Sequence, residues 1–450
     1  MVRLIGITNP PLESGHNWRQ ALTNMVARNF YEDKADIRYP TIDIAGEKSG
    51  IMTSEFPVYN YIIYCCSKIF GFTHWHGRWI SLIFSTIGLF FFHQLLEKLL
   101  NKQIALYATL ITLASLWFAY GRKTMPDTFS VSLVFIGLNA AYNYLKGGKW
   151  IYLLLFFGFT TLGVLSKIPA LSLCAGLIIV PWIKSIKPSR IIPIAIAGII
   201  GLSIVWLWYF YWLPNLYAVY DYQLFFPKTL RQGFEEIRSF LPDLFEKFYF
   251  SSLNSFIAFG CFLLGILYII KQGNRLLQLA LASISIVFGF FILKTGIVFP
   301  THSYYIIPYA PIMALVAAYF IVELPKIVGY FVLGIILVEG IGNQQHDFFL
   351  HDSELYKIEL ESTVDKVIPK DKLVVINGGT TPQNMYFAHR KGWALRNSDA
   401  AKTEIVDSLQ ELGAQYLIID KHQDNFRDMP YKISIKNEHY IVYHIGSTDY

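Results

Sequence analysis

Ionisable and polar side chains recur at the ends of apolar segments, as Arg122-Lys123-Thr124-Met125-Pro126-Asp127, Ser166-Lys167 and His302-Ser303-Tyr304-Tyr305. Charged groups at membrane depth are expensive and usually functional. Cations bind phosphate through charge-assisted hydrogen bonds, and a carboxylate or imidazole takes the proton from an attacking hydroxyl. Such a set suits a charged lipid headgroup. We assign Glu55, Asp127 and His16 as candidate catalytic groups. Arg19, Arg122, Lys123, Lys167, His302, Tyr304 and Tyr305 are candidate substrate contacts. Plain structural readings stand beside these. Asp127 and Glu55 suit the first turn of a helix, Lys167 suits snorkelling from a helix end, and the tyrosines suit an aromatic belt. No Cys/His cluster has zinc spacing, so no metal site and no cofactor is assigned, and a divalent metal stays open.

The elements that must position these residues are apolar helices. Only 16% of the 450 residues are charged and 54% are hydrophobic, against about 25% charged in soluble domains. The patterning predicts helices near 79–96, 103–121, 126–145, 150–166, 168–183, 191–213, 251–270, 276–293, 303–322 and 327–341. Several approach the ~20 residues that a bilayer core demands. The fold class expected is an α-helical polytopic membrane protein with a small C-terminal α/β domain outside the bilayer.

Charge sidedness orients the helices. With residues 1–77 outside, the inner loops hold Lys98, Lys102, Lys146, Lys149, Lys184, Lys187, Arg190, Lys271, Arg275 and Lys326. The short opposite loops hold Arg122, Lys123, Lys167 and Lys294. This is the positive-inside pattern of a plasma or inner membrane protein, and it explains the net charge of +6 without nucleic acid. Moving a polar first segment across the bilayer calls for a leading helix, so Val2–Ile7 is expected to be the end of a truncated first one. The four cysteines lie in apolar stretches and give no disulfide framework.

Three segments differ from the helices. Residues 1–77 read as a first outer loop, with an apolar run after Glu55 that suits an interfacial helix. Residues 214–250 read as an outer loop with short amphipathic helices inside the 78–342 bundle. Residues 343–450 read as a soluble α/β domain, with strands at 372–377, 415–420 and 440–445 and helices at 353–367 and 402–412.

No Gly-rich nucleotide motif or Walker loop is present, which points to an activated substrate already in the membrane. The runs Gly15-His16-Asn17-Trp18-Arg19-Gln20-Ala21, Ala27-Arg28-Asn29-Phe30-Tyr31, Ser54-Glu55-Phe56-Pro57-Val58-Tyr59 and Gly77-Arg78-Trp79-Ile80-Ser81 carry a resemblance. Met125-Pro126-Asp127, Leu165-Ser166-Lys167-Ile168-Pro169 and His302-Ser303-Tyr304-Tyr305 follow in order. Over about residues 10–325 the chain resembles the family 39-like enzymes of the glycosyltransferase C superfamily. These include protein O-mannosyltransferases and lipid A aminoarabinose transferases. The resemblance implies transfer of a monosaccharide from a polyprenyl-phosphate donor to a lipid, glycan or protein acceptor at the outer face of the bilayer. Relatives carry an acid in the first outer loop as base. Aligning on Arg19 puts that position at His16 or Asn17, and aligning on Ala27-Arg28 puts it at Arg19 or Gln20, which leaves His16, Glu13 and Glu55 open.

Two other classes compete. A transporter should carry ionisable groups near midplane and paired broken helices, whereas these charges gather at one edge. A non-catalytic lipid-glycan binding protein draws support from the missing loop acid. The charge asymmetry predicts that a reporter fused after Ser447 is extracytoplasmic and one within Ser185–Ser189 is cytoplasmic. A cytoplasmic signal from the C-terminal fusion would overturn this topology.

Overall fold

The computed structural model describes residues 2–33, 35–183, 185–222, 227–379, 381–423 and 428–446. Lys184, part of the 214–250 segment and the fusion point after Ser447 lie outside the described residues. The chain forms two compact units. One comprises Met1–Ile7, Gly77–Leu213 and Phe225–Phe348, and the other Thr8–His76, Pro214–Leu224 and Phe349–Tyr450.

The first unit is helical. Among the described residues, His76–Leu99, Pro188–Tyr220 and Arg275–Thr295 are each long and apolar enough to cross a membrane. Two helix pairs pass the same test only when taken together across a bend, Leu241–Ser251 with Phe256–Gln272 at 96° and Lys326–Gly342 with Gln345–Val364 at 51°, for up to five if each is one span. The expected continuous helices over 103–121, 168–183 and 303–322 are broken. The first stops at Ala114, where Ser115 Oγ donates to Thr112 O at 2.6 Å and competes with the helical ladder. Pro169 and Pro181 lie in the second, which divides into short turns, including a 3₁₀ segment Ala175–Trp182. The third starts only at Ala310, after a 3₁₀ turn Ser303–Ile306 and Pro308. Pro126–Gly147 is buried for most of its length and carries Thr128, Ser130, Ser132 and Asn139 inside the bundle. An interior helix faces other helices rather than lipid, so it tolerates hydroxyl and amide groups that bond across or back to carbonyls.

The second unit is built on a five-stranded sheet in the order β2-β1-β3-β5-β4. The strands are β1 (Leu373–Ile376), β2 (Gly392–Ala394), β3 (Ala414–Asp420), β4 (Lys432–Lys436) and β5 (Tyr440–His444). β1 pairs in parallel with β2 and β3, while β5 is antiparallel to β3 and β4. The three strands read from the sequence are β1, β3 and β5. β2 is too short and β4 too polar to stand out by pattern. Alternation assigns the two faces. Val374, Ile376, Ile418, Tyr440 and Val442 pack with Leu22, Met25, Val26 and Phe30 of the Asn17–Glu32 helix. Val375, Leu417, Ile419, Ile441 and Tyr443 pack with Ala400 and Val406. Residues near the start of the chain therefore complete the core of a sheet near its end.

Polar ties fix that cover. Arg28 donates to Tyr386 O and pairs with Asp43, each at 3.0 Å, and Asn29 Nδ2 donates to Asp43 Oδ1 at 2.8 Å. His389 lies between two carboxylates, with Nε2 2.8 Å from Glu32 Oε2 and Nδ1 2.5 Å from Glu361 Oε1. Burial pulls its imidazole down, but the carboxylates outweigh that and hold it above its ordinary value. Burial likewise pushes Glu361 up, and His389 with Lys370 bring it down to about 2.

A raised imidazole contributes stability that is fully present below its unfolded value of about 6.5 and is lost as pH climbs through the folded one. His389→Gln is therefore expected to lower amide-exchange protection of Val375 and Ile376 clearly at pH 6 and much less near pH 9. An equal loss at both pH values would show that His389 acts by packing alone.

Candidate active site

The Pro126–Gly147 helix starts where its sequence dictates. Proline at the first position has no N–H to leave unsatisfied, and Asp127 occupies the first turn, where helix dipole and open amides favour an anion. Its side chain is almost fully buried. Oδ1 lies 3.7 Å from Lys167 Nζ, and Oδ2 is buried with no hydrogen-bond partner among the described residues. A buried acceptor left open is costly, so this oxygen is a candidate for contact with a substrate.

Lys167 is held by the preceding helix, Trp150–Ser166, whose end it caps in extended conformation (φ −162°, ψ 108°). Ser130 Oγ donates to Gly163 O at 2.6 Å and approaches Lys167 O at 3.3 Å. A Cβ on Gly163 would lie 2.9 Å from Ser130 O, so glycine permits the close approach of the two helices. The ammonium sits 5.3 Å from the ring centre of Tyr304 and 5.2 Å from that of Tyr305. Both are within cation–π range. The two phenol rings are 4.8 Å apart. His302 stands edge-on to Tyr304 at 5.4 Å, with Nδ1 3.0 Å from Val298 O. Tyr120 OH and Ser303 Oγ, 2.7 Å apart, tie the turn before Asp127 to the Ser303–Ile306 turn.

The structure thus brings Asp127, Lys167, His302, Tyr304 and Tyr305 into one cluster, from segments up to 178 residues apart. Arg122 and Lys123 have further partners in the same unit, and Lys123 Nζ also lies 4.8 Å from the ring centre of Tyr120. Lys123 Nζ pairs with Asp347 Oδ1 at 2.7 Å, both buried, and the Arg122 guanidinium lies 4.5 Å over the Phe348 ring. In the other unit Arg19 and Glu55 form an ion pair with each other. His16 is half-buried and left-handed (φ 59°, ψ 33°), just before the Asn17–Glu32 helix. Asp347 and Tyr120 were not singled out from the sequence, because their partners are set by packing at long separation. Among the described residues no group of three or more His, Cys, Asp or Glu stands close enough to hold a metal ion.

The family model for dolichyl-phosphate-mannose-protein mannosyltransferases matches residues 54–210. That span includes Glu55, Asp127 and Lys167. No curated protein sequence matches the chain. Among solved structures, ArnT from Cupriavidus metallidurans bound to undecaprenyl phosphate superposes with a TM-score of 0.62 at 10% identity, over 99% of this chain and 96% of that one. The Archaeoglobus fulgidus oligosaccharyltransferase AglB, in complex with an inhibitory peptide and a dolichol-phosphate, superposes with 0.59 at 12% identity, over 93% and 68%. The chain carries the glycosyltransferase C fold. The resemblance read from the sequence is borne out by the family model and by these folds.

Removing one partner of a buried ion pair leaves an uncompensated charge at a cost of about 3–5 kcal/mol, whereas replacing both with apolar groups costs far less. Lys123→Met and Asp347→Leu alone are each expected to lower the melting temperature of the protein in nanodiscs, and the double variant to recover most of the loss. Additive losses in the double variant would show that the pair contributes no coupling.

Proposed function

We propose that the protein is a membrane glycosyltransferase that moves a monosaccharide from a polyprenyl-phosphate donor to a hydroxyl of a lipid, glycan or protein acceptor. The site works at the outer face of the inner membrane, with the second unit extracytoplasmic. The observation that carries the reading is the buried Asp127 carboxylate with an open oxygen, 3.7 Å from an ammonium lying over two phenol rings. It stands on a fold shared with a protein solved with undecaprenyl phosphate.

In this reading the acceptor hydroxyl gives its proton to Asp127 as its oxygen bonds to the anomeric carbon. The bond from that carbon to the phosphate oxygen breaks, and its electron pair stays on the leaving polyprenyl phosphate. Lys167 receives the charge that builds on that oxygen. At low effective dielectric an ammonium counts for more than in water, and the tyrosine faces hold it in place without neutralising it. Tyr304, Tyr305 and His302 border the phosphate, and Arg122 and Lys123 support the turn that leads into Asp127. Glu55, which pairs with Arg19, and His16 are the alternative candidates for the base.

Asp127→Asn and Lys167→Met, assayed in nanodiscs with a polyprenyl-phosphate sugar, are each expected to lose on the order of 10²-fold in rate, the scale for one group that stabilises developing charge. Glu55→Gln and His16→Ala are expected to lose less in rate than Asp127→Asn. Wild-type rates for both Asp127→Asn and Lys167→Met would remove the cluster from the reaction.

A further inference from the structure

A second set of polar groups lies at the other end of the same helices. From Asp127 to Lys146 the Pro126–Gly147 helix rises about 28 Å, so Lys146 marks the opposite side of the bundle. There a cavity of about 410 Å³ opens between helices. Phe92, Phe135, Leu177, Ile284 and Leu315 are among its apolar walls, and Lys98, Tyr142, Lys146 and Ser185 are among its polar ones. Lys98 Nζ donates to Asn139 Oδ1 at 2.9 Å and Asn143 Oδ1 at 3.1 Å, while Lys146 Nζ donates to Ser185 Oγ at 2.5 Å. Both ammoniums lie 5.8 Å from the Tyr142 ring centre. Arg190 donates to Leu145 O and Lys146 O and so adds a third positive charge at this helix end.

The acceptors that hold the two ammoniums are neutral, and among the described residues neither lysine forms an ion pair. Glu97, beside Lys98, is half-exposed and faces His93 at 3.9 Å. A cation present only to balance a helix C-terminus would rest on the last carbonyls, as Arg190 does. Lys98 and Lys146 instead lean on side-chain amides, a hydroxyl and one shared phenol ring. That geometry keeps their charge available at the mouth of an apolar cavity. Apolar depth with a cationic rim matches one class of ligand: a lipid with a phosphate head and hydrocarbon tail.

We propose that this cavity is a binding site for an anionic phospholipid of the surrounding bilayer, with its phosphate between Lys98 and Lys146 and one acyl chain among the Phe135 and Leu177 side chains. The site is separate from the Asp127–Lys167 cluster and does not depend on what that cluster catalyses. Lipid seated there would bridge the helices that carry Lys98 and Lys146 to Ile284 on the Arg275–Thr295 helix.

The test uses the full-length protein in detergent with added dioleoylphosphatidylglycerol or dioleoylphosphatidylcholine, read by native mass spectrometry. Wild type is expected to retain one phosphatidylglycerol at least tenfold more tightly than phosphatidylcholine. Lys98→Gln with Lys146→Gln should abolish that preference without changing the melting temperature in phosphatidylcholine. Ala280→Trp, which fills the cavity and leaves the lysines in place, should weaken phosphatidylglycerol retention as well. Equal retention of phosphatidylglycerol by wild type and the double glutamine variant would overturn the proposal.

Discussion

Charge inside a bundle of apolar helices has to be matched by the protein itself, because neither lipid nor a dry interior solvates it. In the helical unit this constraint decides where the chain comes together. Asp127 and Lys167 stand on neighbouring helices, Lys123 finds Asp347 across more than 200 residues, and Arg122 lies against Phe348. Each contact exists only if the helices approach to a set distance. Small side chains set it: Gly163 admits Ser130, and a Cβ at Gly137 would lie 2.5 Å from Thr160 Cγ2. The chemistry of the site is in this sense a consequence of helix packing.

The same constraint acts on the backbone. Interrupted helices leave amides and carbonyls without ladder partners, and such irregularity persists at membrane depth only where protein satisfies it. Gln344 does this at one break. It accepts from Ala119 N and donates to Ala114 O, Ser115 O and Gly340 O. One side chain thereby joins the ends of two broken segments beside the Lys123–Asp347 pair. Glu339 caps the start of Phe256–Gln272 in the same manner, accepting from Phe256 N and Ile257 N. The short turns Ile168–Ala170 and Ser303–Ile306 let side chains such as Lys167 and Tyr304 face inward from helix ends.

The sheet unit obeys a different rule. A mixed sheet with parallel strands needs apolar cover on both faces. The alternation in β1, β3 and β5 supplies two apolar faces, and Ala400 and Val406 pack on one of them. The other is covered by the Asn17–Glu32 helix together with Leu360, Val364 and the Gln383–Ala388 helix. Arg28 and Asn29, which in the sequence look like parts of a recognition motif, are spent on Asp43 and Tyr386 to anchor that helix.

The membrane class, most helix positions and three of the five strands were legible in the sequence, since burial in lipid or in a sheet imprints a period on the residues themselves. Trp150–Ser166 and Pro126–Gly147 start where that pattern places them, at a tryptophan after a lysine loop and at a proline. Asp127, Lys167, Tyr304 and Tyr305 were legible as polar groups at helix ends, and their chemical types suggested phosphate. What the sequence did not contain was their pairing. That Lys167 faces two tyrosines, that Lys123 is consumed by Asp347, that Arg19 meets Glu55 and that the first helix covers a C-terminal sheet are all contacts at long separation. Local patterning constrains each residue's surroundings to the next few turns, whereas a pair distance is fixed only once every helix and strand between has packed.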